Sequence, residues 1–218
     1  MASPARAHYC QTLITDDEFK QWYGPEGKFI AHTNLCVITG VDNLFVIDLD
    51  FHKGPAAQLW FNQLKDRQKS SADFETPTQR TGGGGLQIFY KAPVGWRPPT
   101  LSAPIHNVDI RGQGGLVIVT PSLHDSSKYY VWVEKLEPWN IPVIECPQFI
   151  CDAIDALNTS FKVGNYKSQT QASLKQEFEY DACGLIIDGR ERFMINVIWK
   201  DLINLYRESP IIHEHTSH

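Results

Sequence analysis

Two aspartates, spaced two residues apart at the end of an apolar run, are the first chemistry the chain offers: Leu44-Phe-Val-Ile-Asp-Leu-Asp50. In an extended strand, alternate side chains share a face. Asp48 and Asp50 therefore emerge with Leu44 and Val46, and Phe45, Ile47 and Leu49 point the other way. Two carboxylates held close raise each other's pKa unless a cation or a basic partner stands between them, and a divalent metal ion is the economical answer. The plainer alternative is that the pair ends the strand and caps the following turn. A third acid, Asp109, lies in Asn107-Val-Asp-Ile-Arg111, where alternation puts it on one face with Arg111. Three carboxylates make an all-oxygen ligand set, which favours Mg2+ or Mn2+, whereas zinc favours Cys or His.

The elements that must position these acids are legible as patterns. Asn34-Leu-Cys-Val-Ile-Thr-Gly40 is β-branched and apolar, and it reads as a strand paired antiparallel with the 44–50 strand. After Pro55, the stripe Ala56, Ala57, Leu59, Trp60 and Leu64 predicts a helix over about 55–67. Thr76 to Thr81 reads as an edge strand because Pro77 cannot donate to a ladder. The run Gly82-Gly-Gly-Gly85 lets a backbone approach a ligand closely, and Leu86 to Lys91 follows as a strand. Pro93 to Pro104 is a proline-rich surface excursion with Trp96 and Arg97 on it. Asn107–Arg111 and Leu116–Thr120, joined by Gly112-Gln-Gly-Gly115, read as a β-hairpin, and Tyr129 to Val133 as a further strand. A helix is expected from Pro147 to Leu157, then a polar linker to Tyr180, and a last helix over roughly Arg190 to Arg207. Near the start, Thr15-Asp-Asp-Glu18 has the form of a capping box opening a short helix.

Bulk properties bound the rest. At 218 residues, 42% hydrophobic, the chain is long enough for a sizeable core. A net charge of −5 argues against a simple basic glove for nucleic acid but allows local basic patches, because bound divalent cations offset an acidic pocket. Five cysteines without a CxxC pair suggest neither a disulfide framework nor a zinc ribbon. No apolar run is long enough to cross a membrane and no signal peptide is evident, so a cytoplasmic protein is expected.

Taken in order, Asn34-x4-Thr-Gly, Val-Ile-Asp-Leu-Asp, Thr-Gly-Gly-Gly-Gly-x-x-x-Phe-Tyr, Val-Asp-Ile-Arg-Gly-x-Gly-Gly and Pro-Ser-x-His resemble the bifunctional DNA primase/polymerase domain of the archaeo-eukaryotic primase superfamily, common in plasmid and phage replication proteins. The likeness runs from about Thr15 to Trp132. It implies a template-dependent nucleotidyltransferase. Asp48 and Asp50 would match the family's first metal motif and Asp109 its third, with two Mg2+ or Mn2+ ions as cofactors. Asp48 and Asp50 would bridge both ions, and Asp109 would hold the one that activates the 3′-hydroxyl. The family's second motif ends in a histidine that contacts the nucleotide's phosphates, and this chain has Gln87 there instead, which brings no positive charge. Arg111, Ser122, His124 and Asn34 are the other candidates to face the nucleotide, and Arg80, Lys91 and Arg97 to face DNA.

The expected architecture is an α+β fold, with antiparallel or mixed sheets flanked by helices, divided into a catalytic domain (1–157) and a linker with a C-terminal helical segment (158–218). The expected partners are a DNA template or primer, nucleoside triphosphates, and a replicative helicase domain in a longer protein of which this chain is a fragment. Two other classes stay open: a metal-dependent nuclease on the same fold, and a non-catalytic nucleic-acid-binding replication module.

Overall fold

The computed structural model describes residues 34–103, 107–165 and 194–197, with Thr15 and Asp17. It is an α+β fold of two sheets and two principal helices. A six-stranded sheet has the order β5-β6-β2-β4-β3-β8, all antiparallel: β2 (Leu44–Leu49), β3 (Thr78–Arg80), β4 (Leu86–Lys91), β5 (Leu101–Ala103), β6 (Val108–Arg111) and β8 (Val131–Trp132). A three-stranded sheet has the order β7-β1-β9, where β1 (Asn34–Ile38) runs antiparallel to β7 (Leu116–Val119) and parallel to β9 (Met194–Val197).

Alternation along β2 decides what each face of the large sheet does. Phe45, Ile47 and Leu49, with Ile88, Tyr90, Val108 and Ile110 from the flanking strands, form the core with two helices. These are α1 (Ala56–Arg67), which contributes Ala57, Trp60, Phe61 and Leu64 at helical spacing, and α2 (Gln148–Asn165), which contributes Ile150, Cys151, Ile154 and Leu157. Each large side chain buried there stabilises the fold by about 1.5–3 kcal/mol, so this helical side anchors β2 from behind. The opposite face of β2 is thereby left for Asp48.

Several expectations are corrected. β1 does not pair with β2. Between them Gly40 takes φ 91, followed by Asp42 at φ 52 and Asn43 at φ 58, and this left-handed turn carries the chain from one sheet to the other. The 107–120 segment is likewise not a hairpin, because β6 and β7 lie in different sheets. Its glycine turn is tied to Thr39 at the end of β1, whose hydroxyl donates to Gly112 O at 2.5 Å and whose N–H donates to Gly115 O at 3.0 Å. β7 is thus drawn onto β1. β3 is not an edge strand, since β8 covers it at Gln79 and Arg80. The proline-rich excursion ends in β5, and Trp96 on it is structural: its ring meets Phe45 edge-on at 5.4 Å and its Nε1 donates to Asp155 at 3.1 Å.

α2 continues past Leu157 to Asn165, and residues 194–197 form a strand where a helix was expected. Met-Ile-Asn-Val is short and contains two β-branched residues, Ile195 and Val197, and it pairs along β1. Of the helix expected at Thr15–Glu18 only Thr15 and Asp17 are described, Asp17 as helical, and the rest of the 190–207 helix lies outside the described residues. So does most of the linker. Cys36, Cys146 and Cys151 are buried. Among the described residues no helix is long and apolar enough to cross a membrane.

Candidate active site

The register of the large sheet lines up polar residues in one transverse row. β2 pairs Asp48 with Gln87 on β4 and with Asp109 on β6, and β3 pairs Gln79 with Gln87. Residues directly opposite in a ladder project to the same face. Gln79, Gln87, Asp48 and Asp109 therefore stand side by side, on the face turned away from the helical core. Arg111, two residues along β6 from Asp109, lies on that face too.

Like charges directly opposite one another destabilise a sheet, and Arg111 answers this. Its guanidinium donates to Asp109 at 2.6 Å and stands 4.0 Å from the Asp48 carboxylate. Asp50, just beyond β2, is paired with Lys53 and lies 4.0 Å from the His52 ring. The Lys53 ammonium is held above its ordinary value, first by its hydrogen bond to Asp50. Each outer acid thus has a cation of the protein's own, while Asp48 sits between them.

Asp48 is the most constrained of the three. Its side chain is only 15% exposed, and Oδ1 is the buried side-chain oxygen or nitrogen that has no hydrogen-bond partner among the described residues. Burial pushes its carboxyl up to about 7 from 3.8; Arg111 and a hydrogen bond from Gln87 oppose that rise, and the charges of Asp50 and Asp109 add to it. In the range from about pH 4 to about pH 7 the unfolded chain has ionised this group while the folded chain keeps its proton. Asp48 therefore favours folding below about pH 4, and the benefit is lost as pH rises to about 7. The stability of the metal-free protein, measured against Asp48→Asn by denaturant titration in EDTA, should fall across that window by up to about 4 kcal/mol, from about 1.4 kcal/mol per unit over some three units, and level off above it. A flat difference would mean the carboxyl is solvated.

A cleft of about 290 Å3 opens between the two sheets, with Asp48, Gln87 and Arg111 on one wall and Cys36, Val117, Ile118 and Tyr130 among those on the other. A groove of about 340 Å3 between α1 and α2 lies behind the sheet, on the helical side away from this row. Among the described residues no group of three His, Cys, Asp or Glu side chains is arranged to hold a metal ion. The reason is visible in the ion pairs: Asp109 and Asp50 are turned to Arg111 and Lys53. The donor set itself suits a hard divalent cation, being all oxygen, with one buried carboxylate oxygen lacking any donor.

The other residues singled out from sequence divide into three groups. Gln87 is 4% exposed and stands in the row, but its Oε1 accepts from Gln79 Nε2 at 2.5 Å. Its amide is thus committed inside the protein. Asn34 and Ser122 hold a loop. Asn34 exchanges two hydrogen bonds with the Leu123 backbone at 3.0 and 2.9 Å, and Ser122 Oγ accepts from Leu35 N at 2.7 Å and donates to Leu35 O at 3.3 Å. Together they fix the loop that carries His124. That ring accepts the Ser126 N–H at Nδ1, which leaves Nε2 to carry the proton when the ring is neutral.

Of the basic residues, Lys91 lies opposite Leu44, four residues along β2 from Asp48 and about 13 Å away by strand rise, and pairs with Asp42. It is remote from the acids. Arg80 and Arg97 are exposed.

The glycine run forms a closed turn. Thr81 N donates to Gly85 O at 3.0 Å and Gly84 N to Thr81 O at 2.9 Å. A Cβ on Gly82 would fall 2.3 Å from His124 Cβ, and one on Gly83 would meet both the His124 and His52 rings at 3.2–3.3 Å. The glycines that sequence suggested as a ligand cradle thus serve first to let two histidines close on the turn. His52, Lys53 and Gln79 were not identified from sequence. Only a hairpin register centred on Gly83 would have set Gln79 opposite Gln87.

A family model described as bifunctional DNA primase/polymerase, N-terminal, matches residues 2–149. No curated protein matches the chain.

Proposed function

Since the chain belongs to the bifunctional DNA primase/polymerase family, we propose that it is a template-dependent nucleotidyltransferase, joining nucleoside triphosphates to a 3′-hydroxyl with release of pyrophosphate, in the replication of phage or plasmid DNA. A domain of this kind carries DNA primase/polymerase activity and binds DNA and nucleotides. The family generally uses divalent metals. The observation that carries the finer reading is the buried, unpartnered Oδ1 of Asp48, a residue in direct register with Asp109 that lines a cleft between two sheets.

Asp48, Asp50 and Asp109 would hold two Mg2+ or Mn2+ ions. Such ions, when bound, lower the pKa of the attacking hydroxyl and neutralise charge on the leaving phosphates. The protein's own part is to position and to balance charge. Asp48 is fixed by the central strand, with the helical core behind it. Arg111 and Lys53 neutralise the acids in the meantime, and they are placed to pass to phosphate oxygens, since charge-assisted contacts of that kind are roughly twice as strong as neutral ones. His124, with its Nε2 proton, is the further candidate for a phosphate contact. Arg80 and Arg97 are the candidates for DNA backbone. A helicase domain in a longer protein, and action in the host cytoplasm, complete the proposal.

The test is incorporation of labelled nucleotide on a primed and an unprimed single-stranded template, with deoxy- or ribonucleoside triphosphates. Extension products are expected with Mg2+ or Mn2+ and are expected to vanish in EDTA. Template degradation in place of extension, or no product under any of these conditions, would overturn the assignment.

A further inference from the structure

Gln79 is fully buried, at 0% exposure, and its carboxamide is saturated. Nε2 donates to Gln87 Oε1 at 2.5 Å and to Ile118 O at 2.8 Å, and Oε1 accepts from Thr120 N at 3.0 Å and from Thr120 Oγ1 at 3.1 Å. A side-chain amide has two protons to give and two lone pairs to fill, so nothing is left over. Two of the partners are backbone groups whose polarity cannot change: the Thr120 N–H can only donate and the Ile118 carbonyl can only accept. Turning the amide over would set donor against donor and acceptor against acceptor. The orientation of Gln79 is therefore dictated by main chain at the end of β7, in the small sheet.

That orientation fixes the next residue. Gln87 must present its oxygen to Gln79, which leaves its NH2 end for Asp48, where a hydrogen bond from Gln87 lowers the carboxyl's pKa. We infer that Gln79 is a positioning residue for the metal-binding carboxylate: it transmits the polarity of the small sheet's backbone through Gln87, so that a donor always faces Asp48 and its unpartnered Oδ1 stays free. The inference rests on the metal-binding role proposed for Asp48, and it adds how the ligand is held in line and why the cleft's two walls act as one unit. Residues behind a metal ligand commonly affect affinity by 10–100-fold.

The experiment measures Mn2+ binding to the full chain directly, by the electron paramagnetic resonance signal of free Mn2+, with no nucleotide and no turnover. Gln79→Met keeps the length and removes the relay, and it should weaken Mn2+ binding by about tenfold. In a Gln87→Met background the same substitution should change binding less than about twofold, since its effect runs through Gln87. A merely structural role would lower thermal stability equally in both backgrounds and leave Mn2+ affinity alone, and that result would overturn the inference. Asp48→Asn separates the two ideas. If it leaves Mn2+ binding intact, the metal reading itself fails; if it abolishes binding while Gln79→Met does not weaken it, only the positioning role fails. Should Gln79→Met not fold, the side-chain amide signals of Gln79 and Gln87 in the unaltered protein serve instead. Both should shift as Mg2+ is added, and unmoved signals at saturating Mg2+ would refute the relay.

Discussion

Asp48→Ala is expected to lower nucleotide incorporation by about a thousandfold or more while leaving the fold intact. Metal ions at a reacting phosphate contribute several kcal/mol of charge stabilisation, and each 1.4 kcal/mol is about tenfold in rate. The fold should survive because Asp48 is a strained occupant of its position. Its carboxyl is buried, lacks a partner at Oδ1 and is pushed up to about 7, so removing it relieves a cost. Gel-resolved primer extension and thermal melting on the same samples check both halves. Near-normal synthesis would end the metal assignment, and a lost fold would mean that the charge row holds the sheet together. Asp109→Ala should also abolish most synthesis, but with a different side effect, because it frees Arg111 from its 2.6 Å bond and leaves the guanidinium beside Asp48 alone.

The opposition between stability and activity at Asp48 explains the placing of Arg111 and Lys53. Without cations, three carboxylates at one end of a sheet would repel one another, the central one at the wall of a partly dry cleft. With Arg111 and Lys53 in place, the outer two acids are neutralised, and Arg111 also offsets part of what burial costs the charged form of the central one. The site is thus charge-balanced before any ligand enters. The balancing groups are long side chains, 32% and 54% exposed, able to move aside when stronger partners arrive.

How much of this was written in the sequence depends on whether the signal was local. Asp48 and Asp50 on one face, Asp109 beside Arg111, and the helices over 56–67 and from 148 follow from periodicities of 2 and 3.6, and each can be read within a few residues. The sharing of strands between two sheets could not be read that way. The 34–40 and 44–50 strands look like an antiparallel pair, and so do 107–111 and 116–120. What separates them is a left-handed turn at Gly40 to Asn43 and the bonding of Thr39 to the Gly112–Gly115 turn, more than seventy residues away. Gln79 was silent for a related reason. A polar residue in Thr78-Gln-Arg80 reads as solvent-facing until β8 and the end of β7 close over it. The bonding of Asn34 and Ser122 was hidden in the same way, since their partners are backbone groups of Leu123 and Leu35, close in space and, for both pairs, nearly ninety residues apart in the chain.

Gly85→Ala is expected to destabilise the protein by about 3 kcal/mol, at the upper end of overpacking effects, and to reduce synthesis even in molecules that remain folded. A Cβ there would stand 2.2 Å from Leu49 O and 3.1 Å from Thr81 Oγ1, the hydroxyl that accepts Gly85's own N–H at 2.9 Å. Neither neighbour can yield cheaply. Leu49 is the last residue of β2, paired with Leu86, and its carbonyl leads directly into Asp50. Relief requires β4 to move away from β2 at the end where Asp48 and Gln87 are paired, so the strain falls on the row of acids. Gly84→Ala is the contrast. Its φ of 88 costs backbone strain, but a Cβ there meets nothing within 4 Å, so a smaller loss of about 1 kcal/mol is expected, with activity per folded molecule unchanged. Denaturant titration with extension assays on both variants separates strain in the turn from displacement of the acids. Equal losses of activity per folded molecule in the two variants would place the importance of the glycine run in the loop's flexibility and not in the close approach of β4 to β2.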